Sequence, residues 1–418
     1  MKNAKYLCLT FALLALQAYC DPKWVKESFS ILPNLFITSE VLPVSPMAVV
    51  VDLAPGPINS TNLFSLGVRA GPNETNDISI LNTTALSSIR EFFDIGSLYP
   101  LDTVAIVSIP GSVFYTAVVR DRNRIKQIYG FPMPTGEYFP EEMAITESTD
   151  QTADFKVHQL IAHGPDPVVI YTEIKKDIKN LYIALSNLAE KKVDKRILVA
   201  SGNITMIFCD TDRNVTNALC LYKIGDAMYR VFVTLLDENV TPVILKQATD
   251  SKDEVYLPQA VVANKGYFTC FYARAKENAT DLLGLVFDGL DDAKKATDLS
   301  MVPPLKSFNE RKDFFPLQRA IAYGDGVAAF YRNMEAGGNQ TWYYAIYDKD
   351  LTVKGSEVKL ADVIGADPFY AAKAGFAVAK EPGVGAVNMV GFTYTTWHGA
   401  LVINVYYGQI LSESPSQE

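Results

Sequence analysis

The sequence predicts an all-β fold in which one structural unit is repeated along the chain. An apolar residue followed by tyrosine closes an apolar run at intervals of roughly 50 to 60 residues, a spacing typical of repeat proteins. Between these positions, runs of β-branched and aromatic residues alternate with turns rich in Gly, Asn and Asp, while helical periodicity is almost absent. The repeated dipeptides are Ile170-Tyr171, Leu221-Tyr222, Phe271-Tyr272 and Phe330-Tyr331.

Each unit is predicted to contain four short strands, A to D. The clearest copy has strands A to D at 319–323, 327–331, 342–346 and 356–360. The copy before it has strands at 259–263, 267–272 and 282–287, with a weak strand D near Thr297. Earlier copies follow the same order, with decreasing clarity towards the N-terminus, at 47–68, 103–119, 157–199 and from 204 onwards. The last copy places strand B at 383–389 and strand C at 400–407.

The number of copies favours a β-propeller. About seven four-stranded blades close readily into such a disc. The chain ends before a proper fourth strand of the last unit, so the N-terminal stretch 24–38 is expected to complete the last blade as its outer strand and close the propeller. A pair of packed β-sandwiches is the alternative fold.

The N-terminal segment is typical of a signal peptide. Lys2 and Lys5 precede an apolar run that ends at small residues, with cleavage expected after Cys20 or, alternatively, after Ala18. The run is shorter than the roughly 18 apolar residues that a membrane anchor needs. The expected organisation is therefore a signal peptide at 1–20, one propeller domain at 21–411 and a disordered polar tail at 412–418, in a secreted protein without a transmembrane segment.

Sequons for N-glycosylation agree with a secretory route. We expect those at Asn59, Asn278 and Asn339 to share the B–C turn, and those at Asn73 and Asn239 to share the C–D turn, because turns tolerate a bulky glycan. The eight candidate sites are Asn59, Asn73, Asn82, Asn203, Asn214, Asn239, Asn278 and Asn339.

The cysteines predict one disulfide. Cys209 and Cys220 bracket a loop between two neighbouring predicted strands, and an oxidising compartment would allow them to pair. Cys270 occupies the same repeat position as Cys220, too far away in the next blade to bridge, and is expected to be buried as a small apolar residue.

Motifs that carry chemistry are absent from the sequence. The histidines His158, His163 and His398 have no metal-like spacing, and no nucleophile elbow, phosphate loop or dinucleotide fingerprint occurs. The calcium-loop-like segment 210–221 has Val215 where glycine is needed and Leu221 where a bidentate Glu is needed, so it is interpreted as an acidic turn. We therefore expect no cofactor, no metal and no catalytic residues, and the sequence favours a protein that is not an enzyme.

Polar residues that precede the apolar core of each strand A form a candidate ligand site. In a propeller these strands line the central channel, so the side chains are expected at one mouth of it, where Arg319 and Lys373 would favour an anionic or sugar-like ligand. A solvated channel rim is the simpler interpretation. The candidate residues are Asp94, Gln159, Gln259, Arg319, Lys373, Trp397 and His398.

Over nearly the whole mature chain, the repeat resembles the broad β-propeller superfamily, without the motifs of a specific family. The resemblance implies either a binding or structural module for an extracellular protein or glycan, or a carbohydrate-active propeller of the sialidase or glycosidase kind. Hydrolysis is disfavoured because a pair of carboxylates is missing from the predicted mouth. The net charge of −9 argues against nucleic acid. The acidic stretch 137–154 is expected to be a solvated inter-blade loop that could contact a basic partner.

Overall fold

A computed structural model gives the fold of the chain for a defined set of residues. The described residues are 23–31, 49–55, 62–70, 76–84, 91–98, 104–109, 112–120, 125–134, 142–162, 164–245, 254–293, 295, 297–308, 316–323, 325–334, 340–359, 376–381, 387–397 and 401–411. Within them the chain forms seven four-stranded antiparallel sheets, which we name S1 to S7.

The first three sheets follow the chain, each strand pairing with the next. S1 consists of β2 (Val49–Pro55), β3 (Asn62–Ala70), β4 (Asn76–Thr84) and β5 (Glu91–Leu98), after the N-terminal strand β1 (Lys23–Ile31). S2 consists of β6 (Val104–Ile109), β7 (Ser112–Arg120), β8 (Lys126–Pro134) and β9 (Met143–Ala144). S3 consists of β10 (Asp154–Ile161), β11 (Val168–Lys175), β12 (Ile178–Asn187) and β13 (Lys192–Gly202).

The next three sheets repeat this order. S4 consists of β14 (Ile204–Thr211), β15 (Asn217–Ile224), β16 (Ala227–Thr234) and β17 (Asn239–Leu245). S5 consists of β18 (Val255–Asn264), β19 (Tyr267–Ala275), β20 (Thr280–Asp288) and β21 (Pro304–Phe308), with a short helix α1 (Gly289–Ala293) after β20. S6 consists of β22 (Leu317–Tyr323), β23 (Gly326–Met334), β24 (Gln340–Tyr347) and β25 (Val353–Lys359).

The last sheet combines the two ends of the chain. S7 consists of β26 (Phe376–Glu381), β27 (Val387–Trp397) and β28 (Leu401–Leu411), and β1 pairs antiparallel with β28 along its whole length. The first strands of neighbouring sheets lie against one another: β10 contacts β6 and β14, β18 contacts β14 and β22, and β2 contacts β6 and β26. The first strand is therefore the innermost strand of its sheet.

The apolar–tyrosine repeat is explained by packing on both faces of each second strand. In β11, Ile170 is buried in the core shared with S4, whereas Tyr171 is buried in the core shared with S2. In β15, Leu221 packs toward S5 and Tyr222 toward S3. Since successive side chains of a strand point to opposite faces, one dipeptide contributes to two inter-sheet cores at once. Each fully buried apolar side chain of this kind contributes about 1.5 to 3 kcal/mol.

Two predicted strands are in a different place. The weak strand D near Thr297 is wrong, because Asp298 caps a 3-10 turn at Leu299–Met301 by accepting a hydrogen bond from the Ser300 amide at 3.0 Å, and the strand follows as β21. The second strand of the last copy, predicted at 383–389, begins only at Val387 and continues to Trp397. A Pro-Gly pair at 382–383 precedes it, and the β-branched and aromatic residues run from 387 onwards.

The shared turns assigned to the sequons also need correction. Asn59 lies between β2 and β3 in the chain, and Asn73 lies between β3 and β4. The run 47–53 is the first strand of its sheet rather than the second, so both sites move by one connection. Asn73, Asn278 and Asn339 are the three sites between second and third strands, while Asn82 falls within β4.

The predicted disulfide is confirmed. Cys209 and Cys220 lie directly opposite each other on β14 and β15, with a Cα–Cα distance of 4.1 Å, and are joined by a disulfide. Cys270 is a buried free cysteine, as predicted, and burial raises the pKa of its thiol to about 12.

Candidate functional site: a cleft between the second and third sheets

Gln159, one of the predicted channel-mouth residues, joins two sheets. It lies on β10 and its Oε1 accepts a hydrogen bond from the backbone N–H of Cys209 in S4 at 3.2 Å. The same kind of link continues around the inner strands. Asp210 Oδ2 of S4 accepts from the N–H of Ala263 in S5 at 2.8 Å, and Asn264 of S5 donates to the carbonyl of Gly326 in S6 at 2.7 Å. These hydrogen bonds link S3 to S4, S4 to S5 and S5 to S6. Sequence reasoning did not assign this role to Asp210 or Asn264.

A bulge in the inner strands changes the alignment of the other mouth residues. Gln159 pairs with Ile170 and Arg319 pairs with Phe330, so these two residues are equivalent. In S5 the residue opposite Phe271 is Ala260, because the register shifts between Pro258 and Ala260. Gln259 is the bulged residue, so it is equivalent to His158 and Gln318 rather than to Gln159.

The side chains of two of these three bulged residues, Gln259 and His158, are largely buried. Gln259 is 5% exposed, and its Nε2 donates to the carbonyl of Pro258 at 3.2 Å. His158 Nε2 lies 3.0 Å from Thr172 Oγ1, and burial, with Lys156 and Lys179 nearby, lowers the pKa of His158 to about 4. His158 is therefore neutral at pH 7. By contrast, the side chain of Arg319 is exposed.

The remaining predicted mouth residues are Asp94, Trp397, Lys373 and His398. Asp94 lies on β5, the fourth strand of S1, and is opposite Ser79, which corrects its expected position on an inner strand. Trp397 is the last residue of β27. Lys373 and His398 lie outside the described residues. Among the described residues, Gln159 and Arg319 share an inner-strand position and Asp94 lies on an outer strand, while the common site itself stays a prediction.

A cleft that sequence reasoning missed lies between S2 and S3. It has a volume of about 140 Å³. Its aromatic lining consists of Tyr182 on β12, which is half-buried, and of Phe155 on β10 and Tyr171 on β11, which are each only 3% exposed. Its other lining residues are Thr146, Glu147, Glu173 and Arg196.

The aromatic part of the cleft is held by strand register. Tyr171 and Tyr182 are directly opposite each other on β11 and β12, and their rings stack with centroids 5.4 Å apart and an interplanar angle of 18°. Phe155 packs against Tyr171 with a centroid distance of 6.3 Å. Burial raises the pKa of both tyrosine hydroxyls, and Glu173 raises them further. The aromatic wall is therefore uncharged at neutral pH.

Charged groups surround this wall. Glu173 forms an ion pair with Lys175 at 2.7 Å, and its side chain is 15% exposed. The Nε–H of Arg196 on β13 donates to the carbonyl of Ile145, the residue directly after β9, at 3.0 Å. Glu147 follows β9 in the acidic stretch and is exposed. The cleft thus offers three aromatic rings beside two carboxylates and one guanidinium.

The acidic turn that follows β14 uses its carboxylates internally. Asp212 Oδ1 accepts from the N–H of Thr216 at 2.7 Å, and Oδ2 accepts from Asn217 Nδ2 at 2.9 Å. Within the described residues, no three His, Cys, Asp or Glu side chains are grouped as metal ligands would be. The described part of the chain also includes no helix whose length and apolar character would let it span a bilayer.

The fold defines the class of protein, whereas the comparisons name no family. No family model and no curated protein matches the chain. Among solved structures, the Dos1 propeller is 10% identical with a TM-score of 0.43, covering 86% of this chain and 77% of that chain. Oligopeptidase B from Leishmania major is 12% identical with a TM-score of 0.46, covering 83% of this chain and 45% of that chain. The nidogen/laminin complex gives 11% identity, a TM-score of 0.34 and coverage of 68% and 90%.

This chain therefore spans less than half the length of the oligopeptidase that it matches. At such identities the similarity concerns the fold alone. The seven four-stranded antiparallel sheets of this chain agree at the level of the fold with the propeller resemblance that its repeat predicts.

Proposed function

We propose that this protein is a secreted, N-glycosylated β-propeller that acts as an extracellular binding module. In this proposal the seven sheets are the blades, and β1 closes the disc by completing S7. Pairing of β1 with β28 and contact between the inner strands β2 and β26 support the closure. A ring closed in this way presents rigid faces to partners and leaves few open sheet edges.

Exposure of the described sequons supports glycosylation. Asn203, Asn214, Asn239 and Asn278 are all exposed and lie in turns or at a strand end. The disulfide between Cys209 and Cys220 agrees with an oxidising compartment. The N-terminal apolar segment, which lies outside the described residues, is the expected export signal.

The distribution of the sequons carries the proposal of a binding surface. None occurs between Asn82 and Asn203, an interval that includes all of S2 and S3. The cleft lies between these two sheets, and Leu198, which is 48% exposed, lies directly opposite Tyr182 on the same sheet. An apolar and aromatic surface left free of glycans is typical of an interaction site.

A carbohydrate ligand is the second candidate function. The cleft combines the half-buried ring of Tyr182 with Arg196 and Glu147, and sugars are bound by aromatic faces flanked by polar groups. This candidate predicts that binding depends on hydroxyl-rich or acidic ligands, which distinguishes it from the site chemistry argued in the next subsection.

Expression through a eukaryotic secretory pathway tests the proposed function. We expect the protein in the medium, without residues 1–20, and mass spectrometry before and after enzymatic deglycosylation should show occupied sites outside S2 and S3. The double substitution Lys176→Asn/Ile178→Thr would create a sequon beside the cleft, and Ala189→Thr would create one at the opposite end of S3 as a matched control. Retention of the protein inside the cell without glycans would overturn the proposal.

A further inference from the structure

We propose that the S2/S3 cleft binds an alkylammonium group, such as the lysine side chain of a basic protein partner. The inference rests on the proposed function only for the origin of that ligand. It is carried by a comparison within the molecule, because the same structural position in another sheet is filled by the protein's own lysine.

The junction between S5 and S6 shows what this position holds. Tyr331 and Tyr343 are directly opposite each other and stack with centroids 6.0 Å apart, as Tyr171 and Tyr182 do in S3. Lys306, delivered by the fourth strand of S5, places its Nζ 4.7 Å from the Tyr331 centroid and 5.0 Å from that of Tyr343. Phe308 packs edge-on against Tyr331 at 5.7 Å. A cation this close to ring faces is attracted by their quadrupoles.

A carboxylate completes the S5/S6 arrangement. Glu357 on β25 accepts a hydrogen bond from the Tyr331 hydroxyl and forms an ion pair with Lys306. The lysine ammonium is thus held by three aromatic rings and one acid, all from the fold itself. This is the arrangement by which aromatic cages hold amines.

The junction between S4 and S5 is filled in a related way. Arg230 on β16 is fully buried and its guanidinium lies 3.9 Å from the centroid of Phe287 in S5. Its Nε donates to the carbonyl of Ala293 at 2.9 Å. In both junctions the preceding sheet therefore supplies a cation to aromatic rings of the following sheet.

The S2/S3 junction has the aromatic rings without such a cation. The connection from S2 to S3 brings Thr146 and Glu147 to the cleft instead of a lysine, and a space of about 140 Å³ lies beside the tyrosine pair. In the described part of the chain, no lysine or arginine lies over the ring of Tyr171 or Tyr182. Phe155 packs against Tyr171 from the first strand of the same sheet, whereas Phe308 packs against Tyr331 from the fourth strand of S5.

The fourth strands of S3 and S6 carry opposite charges at corresponding positions. Leu198 is opposite Tyr182 and Lys359 is opposite Tyr343, so Arg196 and Glu357, each two residues earlier, hold corresponding positions on the fourth strands. The S2/S3 junction has its acid in the connection that follows β9, as Glu147, and an incoming ammonium would lie between Glu147 and the tyrosine rings. Arg196 would disfavour the cation, which makes it a diagnostic residue.

Calorimetric titration of the purified full-length protein with choline tests the inference, and 3,3-dimethylbutanol is the uncharged ligand of nearly the same shape. We expect choline to bind at least about tenfold more tightly than the alcohol, since the difference is the charge over the rings. An N-acetylated lysine methylamide should compete with choline for the cleft, as the lysine of a partner would. Equal binding of choline and the alcohol, or no binding of either, would overturn the inference.

Variants separate the cation site from a sugar site. Glu147→Gln should weaken choline several-fold, and Arg196→Gln should tighten it by a similar factor, because each removes one charge next to the ligand. Tyr182→Leu should abolish binding. In S4, Tyr229 is directly opposite Tyr222 and stacks on it as Tyr182 does on Tyr171, and Tyr229→Leu should leave binding unchanged. If Arg196→Gln abolishes binding of an acidic sugar and choline does not bind, the site is a glycan site instead.

The proposed function and the alkylammonium site can each be refuted without the other. Choline binding is measured on folded protein in solution, so it does not depend on export or on glycans. A protein that is secreted and glycosylated but does not bind choline would leave the proposed function intact and remove the ligand chemistry. The sequon created by Lys176→Asn/Ile178→Thr should block binding of a lysine-rich peptide when glycosylated, and Ala189→Thr should not.

Discussion

The S5/S6 and S2/S3 junctions have the same stacked tyrosine pair but differ in what covers it. In S5/S6, Lys306 lies over the rings and is paired with Glu357. In S2/S3, the equivalent space is a cleft rimmed by Glu147 and Arg196. The difference teaches that the repeat fixes the aromatic framework, while the connection from the preceding sheet determines whether a junction is closed or is available to a ligand.

The largest effect on stability is expected for Arg230, because this cation is fully buried in its junction. Arg230→Met should lower the free energy of unfolding by about 3 kcal/mol or more, because the carbonyls of Ala293 and Lys295 lose their buried donors. Urea unfolding measures this change in the free energy of unfolding. The exposed Arg213→Met of the same sheet should change stability by less than about 0.5 kcal/mol. Similar values for both variants would show that the cation does not close this junction.

The S3/S4 junction is stabilised covalently rather than by a cation. Cys209 and Cys220 both lie in the core between S3 and S4. Replacing both by alanine should destabilise the protein by about 2 to 3 kcal/mol, since the bridge closes a short loop in the unfolded chain. Cys270→Ala is the control, and it should cost about 1 kcal/mol for the lost buried thiol. Melting with and without reductant would reveal the bridge, and reductant should not affect the double variant.

A smaller effect is expected for the lysine that closes S5/S6. Lys306→Ala should cost about 1 kcal/mol, because Lys306 and Glu357 are partly exposed at 24% and 32% and the cation–π contacts are moderate. The variant should then regain stability in the presence of an added alkylammonium ion, as the emptied junction becomes a second cleft. Lys354→Ala, which removes an exposed ion pair with Asp325, should show no such recovery. Equal responses of the two variants would argue against an ammonium site.

The smallest effect concerns alkaline pH. Burial raises the pKa of Tyr331, and its hydrogen bond to Glu357 raises it further. A folded pKa above the unfolded value means that Tyr331 contributes stability below pH 10 that is lost as pH rises. Tyr331→Phe should therefore reduce the loss of stability above pH 10, measured by urea unfolding across pH. A slope unchanged from wild type would show that Tyr331 ionises normally.

The sequence predicts the repeat well because each copy carries its own signal in two adjacent residues. Each apolar–tyrosine dipeptide faces two cores, so both residues are constrained at every copy, and the disulfide joins residues that are neighbours on a hairpin. The outer strand of S5 was misplaced because α1 and a 3-10 turn intervene in that one copy.

The candidate site could not be predicted in the same way. The predicted mouth residues were aligned by the apolar runs that follow them, but Gln259 occupies the bulge position of its strand, one residue before the position that Gln159 and Arg319 share. A bulge has little sequence signal, so this offset of one residue was not visible. The cleft depends on residues from two sheets, such as Glu147 and Tyr182, whose proximity is set by packing rather than by spacing. One signal was visible: the acidic stretch that holds Glu147, which was interpreted as a solvated inter-blade loop, could contact a basic partner.

The most direct test of the central claim is the free energy of unfolding of Glu147→Lys compared with Glu147→Gln. If S2/S3 is an open form of the site that Lys306 fills in S5/S6, a lysine supplied from S2 should occupy the cleft, and Glu147→Lys should be at least as stable as Glu147→Gln. Repulsion from Arg196 alone predicts the opposite order. A less stable lysine variant would contradict the account.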